Sequence, residues 1–194
     1  MRKKIKVFFD LETTGLDSRK NGIHQIAGIV EVNDSVVETF DLKVRPNPDK
    51  IIEEAALNVG GVTKEQVLAY PEMRTIYKKL VTMLAKYIDK FNRRDKAWLV
   101  GYNNRAFDDP FLRAWFEQNG DNYFGSWFWS DSLDVMSLSS EYLQDVRANM
   151  PNFKLMSVAK RLGIVVDESK LHDGGYDVWL TREIYLIVTY RDLL

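Results

Sequence analysis

The sequence predicts an α/β domain whose mixed sheet has about five strands, the first three antiparallel. Three observations carry that expectation. Three strand-like runs open the chain, the second and third joined by a short polar connection. Short apolar runs then alternate with helical periodicities. No repeat, low-complexity tract or Pro/Ser-rich linker divides the 194 residues, so residues 1–194 read as one domain.

Taken in order, Ile5-Lys6-Val7-Phe8-Phe9 reads as a strand, with Ile5, Val7, Phe9 and Leu11 sharing one face. Residues 23–32 and 36–44 are the next two strands, and Asn33-Asp34-Ser35 between them is short enough for a hairpin. Thr63-Lys-Glu-Gln66 matches a capping box, which starts a short helix after the turn at Gly60-Gly61. Ile76, Leu80, Leu84 and Ile88 recur every four residues and predict a helix over 73–91. Trp98-Leu99-Val100 is a buried strand ended by Gly101. Pro110 suits a first helical turn, after which Phe111, Leu112, Trp115 and Phe116 line one face. Residues 126–130 lie in an aromatic run, Phe124 to Trp129, that reads as another buried strand. Helices are expected over 133–146, 155–162 and from about Tyr176 to the C-terminus.

Charge narrows the function. Lys and Arg number 27 against 28 Asp and Glu, a net charge of −1, which excludes a strongly basic nucleic-acid coat protein and an acidic disordered tail. A nucleic-acid enzyme stays open, because metal ions supply positive charge where a phosphate reacts. Lys78-Lys79, Arg93-Arg94 and Lys160-Arg161 then read as solvated helix faces. The absence of cysteine excludes disulfides, thiolate zinc sites and Cys nucleophiles. No signal-peptide core or membrane-length apolar run is present, so the chain reads as cytoplasmic with no membrane partner.

Three acidic segments stand out. In Phe9-Asp10-Leu11-Glu12-Thr13-Thr14-Gly15, strand alternation projects Asp10 and Glu12 the same way, and two adjacent carboxylates need a proton or a cation between them. Oxygen ligands of this kind suit Mg²⁺ or Mn²⁺. Gly101-Tyr-Asn-Asn104-Arg-Ala-Phe107-Asp108-Asp109-Pro110 joins a strand end to a helix start, where ligands bind in open α/β sheets. Asp109 fits a helix N-cap, which leaves Asp108 free, while Phe107 offers a ring to a base. In His172-Asp-Gly-Gly-Tyr-Asp177, the glycines place His172 in a loop and Asp177 in the first helical turn, heading a row with Leu180 and Ile184. His172 is therefore the candidate base, and His24, inside a strand, reads as a satisfied structural histidine.

Together these segments resemble the DEDDh family of 3′→5′ exonucleases. Its Asp-x-Glu-Thr-x-Gly motif matches Asp10, Glu12, Thr13 and Gly15; its Asn-x-x-Phe-Asp motif matches Asn104, Phe107 and Asp108; its His-x4-Asp motif matches His172 and Asp177. Asn103-Asn104, where many members have His-Asn, is similar to bacterial exonuclease I. The resemblance implies a ribonuclease-H-like fold and two divalent cations, Mg²⁺ or Mn²⁺, held by Asp10, Glu12, Asp108 and Asp177, with His172 as general base. It also implies a nucleic-acid 3′ end as substrate, single-stranded DNA before RNA, contacted by Thr13, Thr14, Leu16, Asn104 and Phe107. Some relatives form homodimers and others bind a polymerase. Two rival readings are a haloacid-dehalogenase-type phosphatase, from the strand-end Asp10-x-Glu12-x-Thr14, and a non-catalytic nucleic-acid-binding module.

Overall fold

The computed structural model describes residues 3–190. Five strands form one mixed sheet in the order β3-β2-β1-β4-β5, where β1 is Ile5–Thr13, β2 Ile23–Val32, β3 Ser35–Lys43, β4 Trp98–Gly101 and β5 Leu133–Asp134. The first three strands are antiparallel; β4 is parallel to β1, and β5 to β4. The β2–β3 hairpin turns through Asn33 and Asp34 at φ of 52° and 65°, a left-handed region that short amide and acid side chains tolerate best after glycine.

Helices cover both faces. On one face α3 (Met73–Leu84) and α4 (Asp108–Gln118) pack Ile76, Leu80, Phe111, Trp115 and Phe116 against Val7, Phe9 and Leu11 of β1. On the other, α6 (Val135–Tyr142), α7 (Leu155–Arg161) and α8 (Gly174–Thr189) bury Val135, Val158, Val178 and Leu180 with Phe8 and Ala27. Phe8, fully buried, meets the Tyr185 ring edge-on at 5.3 Å, so Phe8→Ala removes about 3–5 kcal/mol of packing. Strand alternation then decides where the acids go. Asp10 and Glu12 share the parity of Phe8 and project toward the α8 side.

Several expected boundaries shift. The helix expected over 73–91 ends at Leu84, although Ile88 still reaches the core at 2% exposure. Asp89 and Asn92 accept from the amides of Phe91 and Arg94, local turns that compete with helical hydrogen bonds. The strand expected over 126–130 is instead a short helix, α5 (Phe124–Trp127), followed by a single bridge from Phe128 to Ala97. Trp127 and Phe128 are both buried, as consecutive residues also are in β1, so burial alone does not separate helix from strand here. Asp121 gathers the amide of Tyr123, the Trp127 indole and the Tyr77 hydroxyl, and this folds the segment into a turn. The fifth strand comes from Leu133–Asp134, so the helix expected over 133–146 shortens to α6. The final helix starts at Gly174 rather than Tyr176, and the end of the expected span, 191–194, lies outside the described residues. The Thr63 capping box forms as expected at the start of α2 (Lys64–Leu68), after the short α1 (Glu54–Val59).

Candidate active site

Motif by motif, backbone constraints bring the acids together. A Cβ at Gly101 would stand 2.6 Å from the Asn104 Cβ and 3.3 Å from the Phe9 carbonyl, so only glycine lets the chain fold back over β1. Within this loop Asn103 adopts φ 61° and donates its N–H to Asp134 Oδ1 at 3.0 Å. The Asn104 amide donates to Asp109 Oδ1 at 3.0 Å, the Asp109 N–H returns to the Asn104 carbonyl at 2.8 Å, and Ser132 donates to Asp109 Oδ2. Asp109 therefore lies inside α4 as a brace for the loop, not at the expected N-cap position, which Phe107 occupies. Braced this way, Asp108 is buried, and the backbone of Leu11, the residue between Asp10 and Glu12, hydrogen-bonds its carboxyl.

The third segment arrives over the same patch. Asp173 caps α8, its Oδ1 accepting from the amides of Gly175 at 3.0 Å and Tyr176 at 3.2 Å. A Cβ at Gly174 would meet the Ala27 Cβ at 3.1 Å and the Gln25 amide at 3.3 Å, so the helix start lies directly on β2. Ala27 and Gln25 pair with Asp10 and Glu12 across the β1–β2 ladder, and one turn into α8 Asp177 faces that pair. His172 is exposed in the preceding loop at φ 67°, and its N–H donates to Asp177 Oδ2 at 3.3 Å. The turn after α1 forms another wall, with a Gly60 Cβ position 3.7 Å from Glu12 Oε2.

The electrostatics report the convergence directly. Burial, and then the charges of Asp108, Glu12 and Asp177, hold the Asp10 carboxyl well above the usual carboxylate range. Burial also raises Asp108, with Asp109 and Glu12 adding to the shift and the Leu11 backbone opposing it. Burial and Asp177 push Glu12 to about 7, against the pull of Lys43. Asp177 rises to about 6 through burial, opposed by the His172 backbone. Four carboxyls that resist ionising side by side call for a cation.

The residues fit a divalent metal. The donors are all oxygen, and Asp177 Oδ1 is buried without a hydrogen-bond partner. Among the described residues no three ligating side chains are drawn into a closed cage. A closed protein cage is not required, because Mg²⁺-type ions use one or two carboxylates plus water and substrate phosphate. Two surface grooves of about 640 and 650 Å³, one lined by Met150 and Arg161 and the other by Phe40 and Lys86, contain none of the four acids. Charge, not cavity size, marks this site.

The expected substrate contacts divide. Leu16 is 82% exposed and free to meet a ligand. Phe107 is half-buried with its ring 5.1 Å from Phe111. Thr13 is buried and donates to the Gly15 carbonyl. Thr14 is not placed to hold a nucleotide: its N–H binds the Gly22 carbonyl, and its hydroxyl binds Ile51 and the Gly22 amide. Asn104, fully buried, braces the loop instead of facing solvent. His24 is buried as expected but not satisfied, since neither ring nitrogen has a partner and burial lowers it to about 4. Lys43, Gln25 and Asp173 adjoin the site without having been expected there. Lys43 and Gln25 reach it through strand register, which no local pattern reveals, whereas an Asp before Gly174-Gly175 is an N-cap signal legible in the sequence.

Residues 7–185 match the exonuclease family. The chain is 28% identical over 200 residues to exodeoxyribonuclease I of Escherichia coli strain K12, covering 95% of this chain and 40% of that protein. It is 24% identical over 181 residues to the PolC-type DNA polymerase III of Mycoplasmopsis pulmonis, covering 93% of this chain and 11% of the polymerase. The fold superposes on a zinc-bound complex of E. coli exonuclease I with single-stranded DNA at a TM-score of 0.79 and 21% identity, over 98% of this chain and 41% of that one. The chain thus spans a minor part of each of these relatives. With the family match over nearly its full length, and its acids gathered at the ends of β1, α4 and α8, the chain belongs to the exonuclease family.

Proposed function

We propose that this domain is a metal-dependent 3′→5′ exonuclease that shortens nucleic acid from its 3′ end, with single-stranded DNA preferred over RNA. The observation that carries the reading is the mutual charge coupling of Asp10, Glu12, Asp108 and Asp177, which three distant segments bring to one edge of the sheet. Similarity to exodeoxyribonuclease I, which is known in complex with a dT13 oligonucleotide, supports DNA as the polymer.

Asp10, Glu12, Asp108 and Asp177 would together hold two divalent cations, four negative charges against four positive. Bound there, such ions stabilise the attacking and leaving oxygens of phosphodiester hydrolysis. His172, on its exposed loop, takes the proton from the attacking water and swings over the acids to do so. Leu16, standing out from the turn after β1, packs on the terminal base, and the half-buried ring of Phe107 offers a second apolar surface.

The test is a 5′-labelled oligonucleotide panel of single-stranded DNA, duplex DNA and single-stranded RNA, each with Mg²⁺, Mn²⁺ or EDTA. Stepwise shortening from the 3′ end, abolished by EDTA, is the expected result. Phosphate release from a small ester without shortening would instead assign a phosphatase. Binding without either activity would leave a nucleic-acid-binding module. The phosphatase reading gives Asp177 no task, although it is coupled to Asp10 and Glu12.

A further inference from the structure

Glu12, Gln25 and Lys43 stand opposite one another on β1, β2 and β3. Directly paired residues on antiparallel strands share a face, with strands about 4.8 Å apart, so the three side chains form one row on the α8 side of the sheet. The Lys43 ammonium donates to Gln25 Oε1 at 2.5 Å, which places it over the boundary between β2 and β3, about one strand spacing from Glu12. Gln25 is itself fixed. Its Nε2 donates to Asp41 Oδ1 at 2.8 Å, and the start of α8 at Gly174 packs against the same amide. Both ends of the Gln25 amide are therefore engaged, its nitrogen by Asp41 and its oxygen by Lys43.

Among the described residues Lys43 forms no ion pair with a carboxylate, although it is half-buried at the edge of an acidic pocket. Its charge still reaches the centre, where it opposes the rise of Glu12. On the reading given under Proposed function, two divalent ions cancel the four carboxylates. The ammonium, with Asp41 beyond Gln25 and Asp173 at the pocket edge, then remains without an ion pair of its own, and a phosphodiester supplies the negative charge it lacks.

From this row we propose that Lys43 is a substrate-binding residue whose ammonium, held out by Gln25 and Asp41, binds a backbone phosphate of the strand entering the site on its β3 side. The inference rests on the exonuclease reading for the identity of the polymer. Lysine suits the position because a single rotatable ammonium meets one phosphate oxygen while keeping its bond to Gln25.

The experiment measures binding of a 5′-fluorescein single-stranded oligonucleotide by anisotropy across a salt series, in Ca²⁺ and in EDTA, for the wild type, K43M and K43R. Loss of one phosphate contact flattens the slope of log K against log salt by about 0.7 for a single strand. K43M is expected to show that change and to weaken binding several-fold, with a melting temperature close to the wild type. K43R is expected to keep the wild-type slope. A K43M slope equal to the wild type overturns the proposal, as does the absence of any oligonucleotide binding by the wild type. Parallel digestion with Mg²⁺ separates the two claims. Shortening with an unchanged K43M slope removes Lys43 alone, and a flattened K43M slope without any shortening removes the exonuclease reading alone.

Discussion

The backbone amide of His172 donates to Oδ2 of Asp177 at 3.3 Å, while the imidazole stays in solvent on a residue at φ 67°. The bond anchors the loop to a carboxylate of the site and leaves the ring free to approach it. A non-glycine residue in this region is strained, and Asn tolerates it better than Ala. His172→Asn is therefore the cleaner probe. It is expected to reduce nuclease turnover by about 10²–10⁴-fold with a nearly unchanged melting temperature, measured by steady-state digestion and thermal unfolding. Full turnover in His172→Asn would remove His172 as the base.

The carboxyl cluster makes metal-free stability pH-dependent. Glu12 moves from 4.5 to about 7 and Asp177 from 3.8 to about 6, so between these values the folded chain binds more protons than the unfolded one. Their contribution is fully present below about pH 4 and is lost as pH rises through about 6 to 7. In EDTA the melting temperature is expected to fall between about pH 6.5 and about pH 8, above the range in which His24 acts in the opposite direction, and Mg²⁺ or Mn²⁺ to restore more of it at the higher pH. The Glu12 shift corresponds to on the order of 3 kcal/mol. Glu12→Gln is expected to stabilise the metal-free protein near pH 8 by about 1–3 kcal/mol while abolishing digestion. A metal-free melting temperature flat across this window would contradict the coupling.

His24 acts in the opposite direction. Burial, with Lys43 adding to it, lowers this histidine from 6.5 to about 4, so the unfolded chain takes up the proton first as pH falls. Stability present at neutral pH is lost from about pH 6.5 downward. His24→Leu removes two unpaired buried nitrogens and is expected to be neutral to stabilising at pH 7 and to flatten the acid limb of a denaturant-midpoint profile. Strong destabilisation at pH 7 would show that the ring nitrogens have partners in solution.

At the far end of β2, Glu31 is buried beneath Arg182 of α8, whose Nε reaches Oε1 at 2.7 Å, while Lys6 approaches Oε2 at 3.5 Å. Arg182→Ala leaves a buried carboxylate short of its strongest partner. It is expected to cost about 3–5 kcal/mol in urea unfolding. The double variant Glu31→Leu with Arg182→Leu is expected to regain most of that loss. No recovery would place the role of Arg182 in packing.

Leu16, at 82% exposure, has no packing to lose. Leu16→Ala is expected to leave unfolding unchanged within about 0.5 kcal/mol and to raise KM for oligonucleotides. An unchanged KM would move the base contact elsewhere, with Phe107 the next residue to test.

Short-range regularities in the sequence determined much of this protein. Period-two runs located β1, β2 and β3; the apolar row Phe111–Leu112–Trp115–Phe116 located α4; and motif spacing, local element placement and family resemblance pick out Asp10, Glu12, Asp108, His172 and Asp177. Tertiary structure decided the rest. Aromatic content marked residues 124–129 as buried but not their shape, because a helix turn and a strand bury such rings equally well and Asp121 settles between them. The four-residue period ran on to Ile88, and the chain keeps turning that far, with the Ile88 N–H on the Leu84 carbonyl, but regular helix ends at Leu84 and side-chain turns at Asp89 and Asn92 take over beyond Ile88. Neither the approach of the Leu11 backbone to Asp108 nor the alignment of Lys43 with Glu12 has a local signature. Local patterns report the conformation of a few consecutive residues. Which strands become neighbours, and in what register, depends on burying distant apolar faces together, and that burial places the charges.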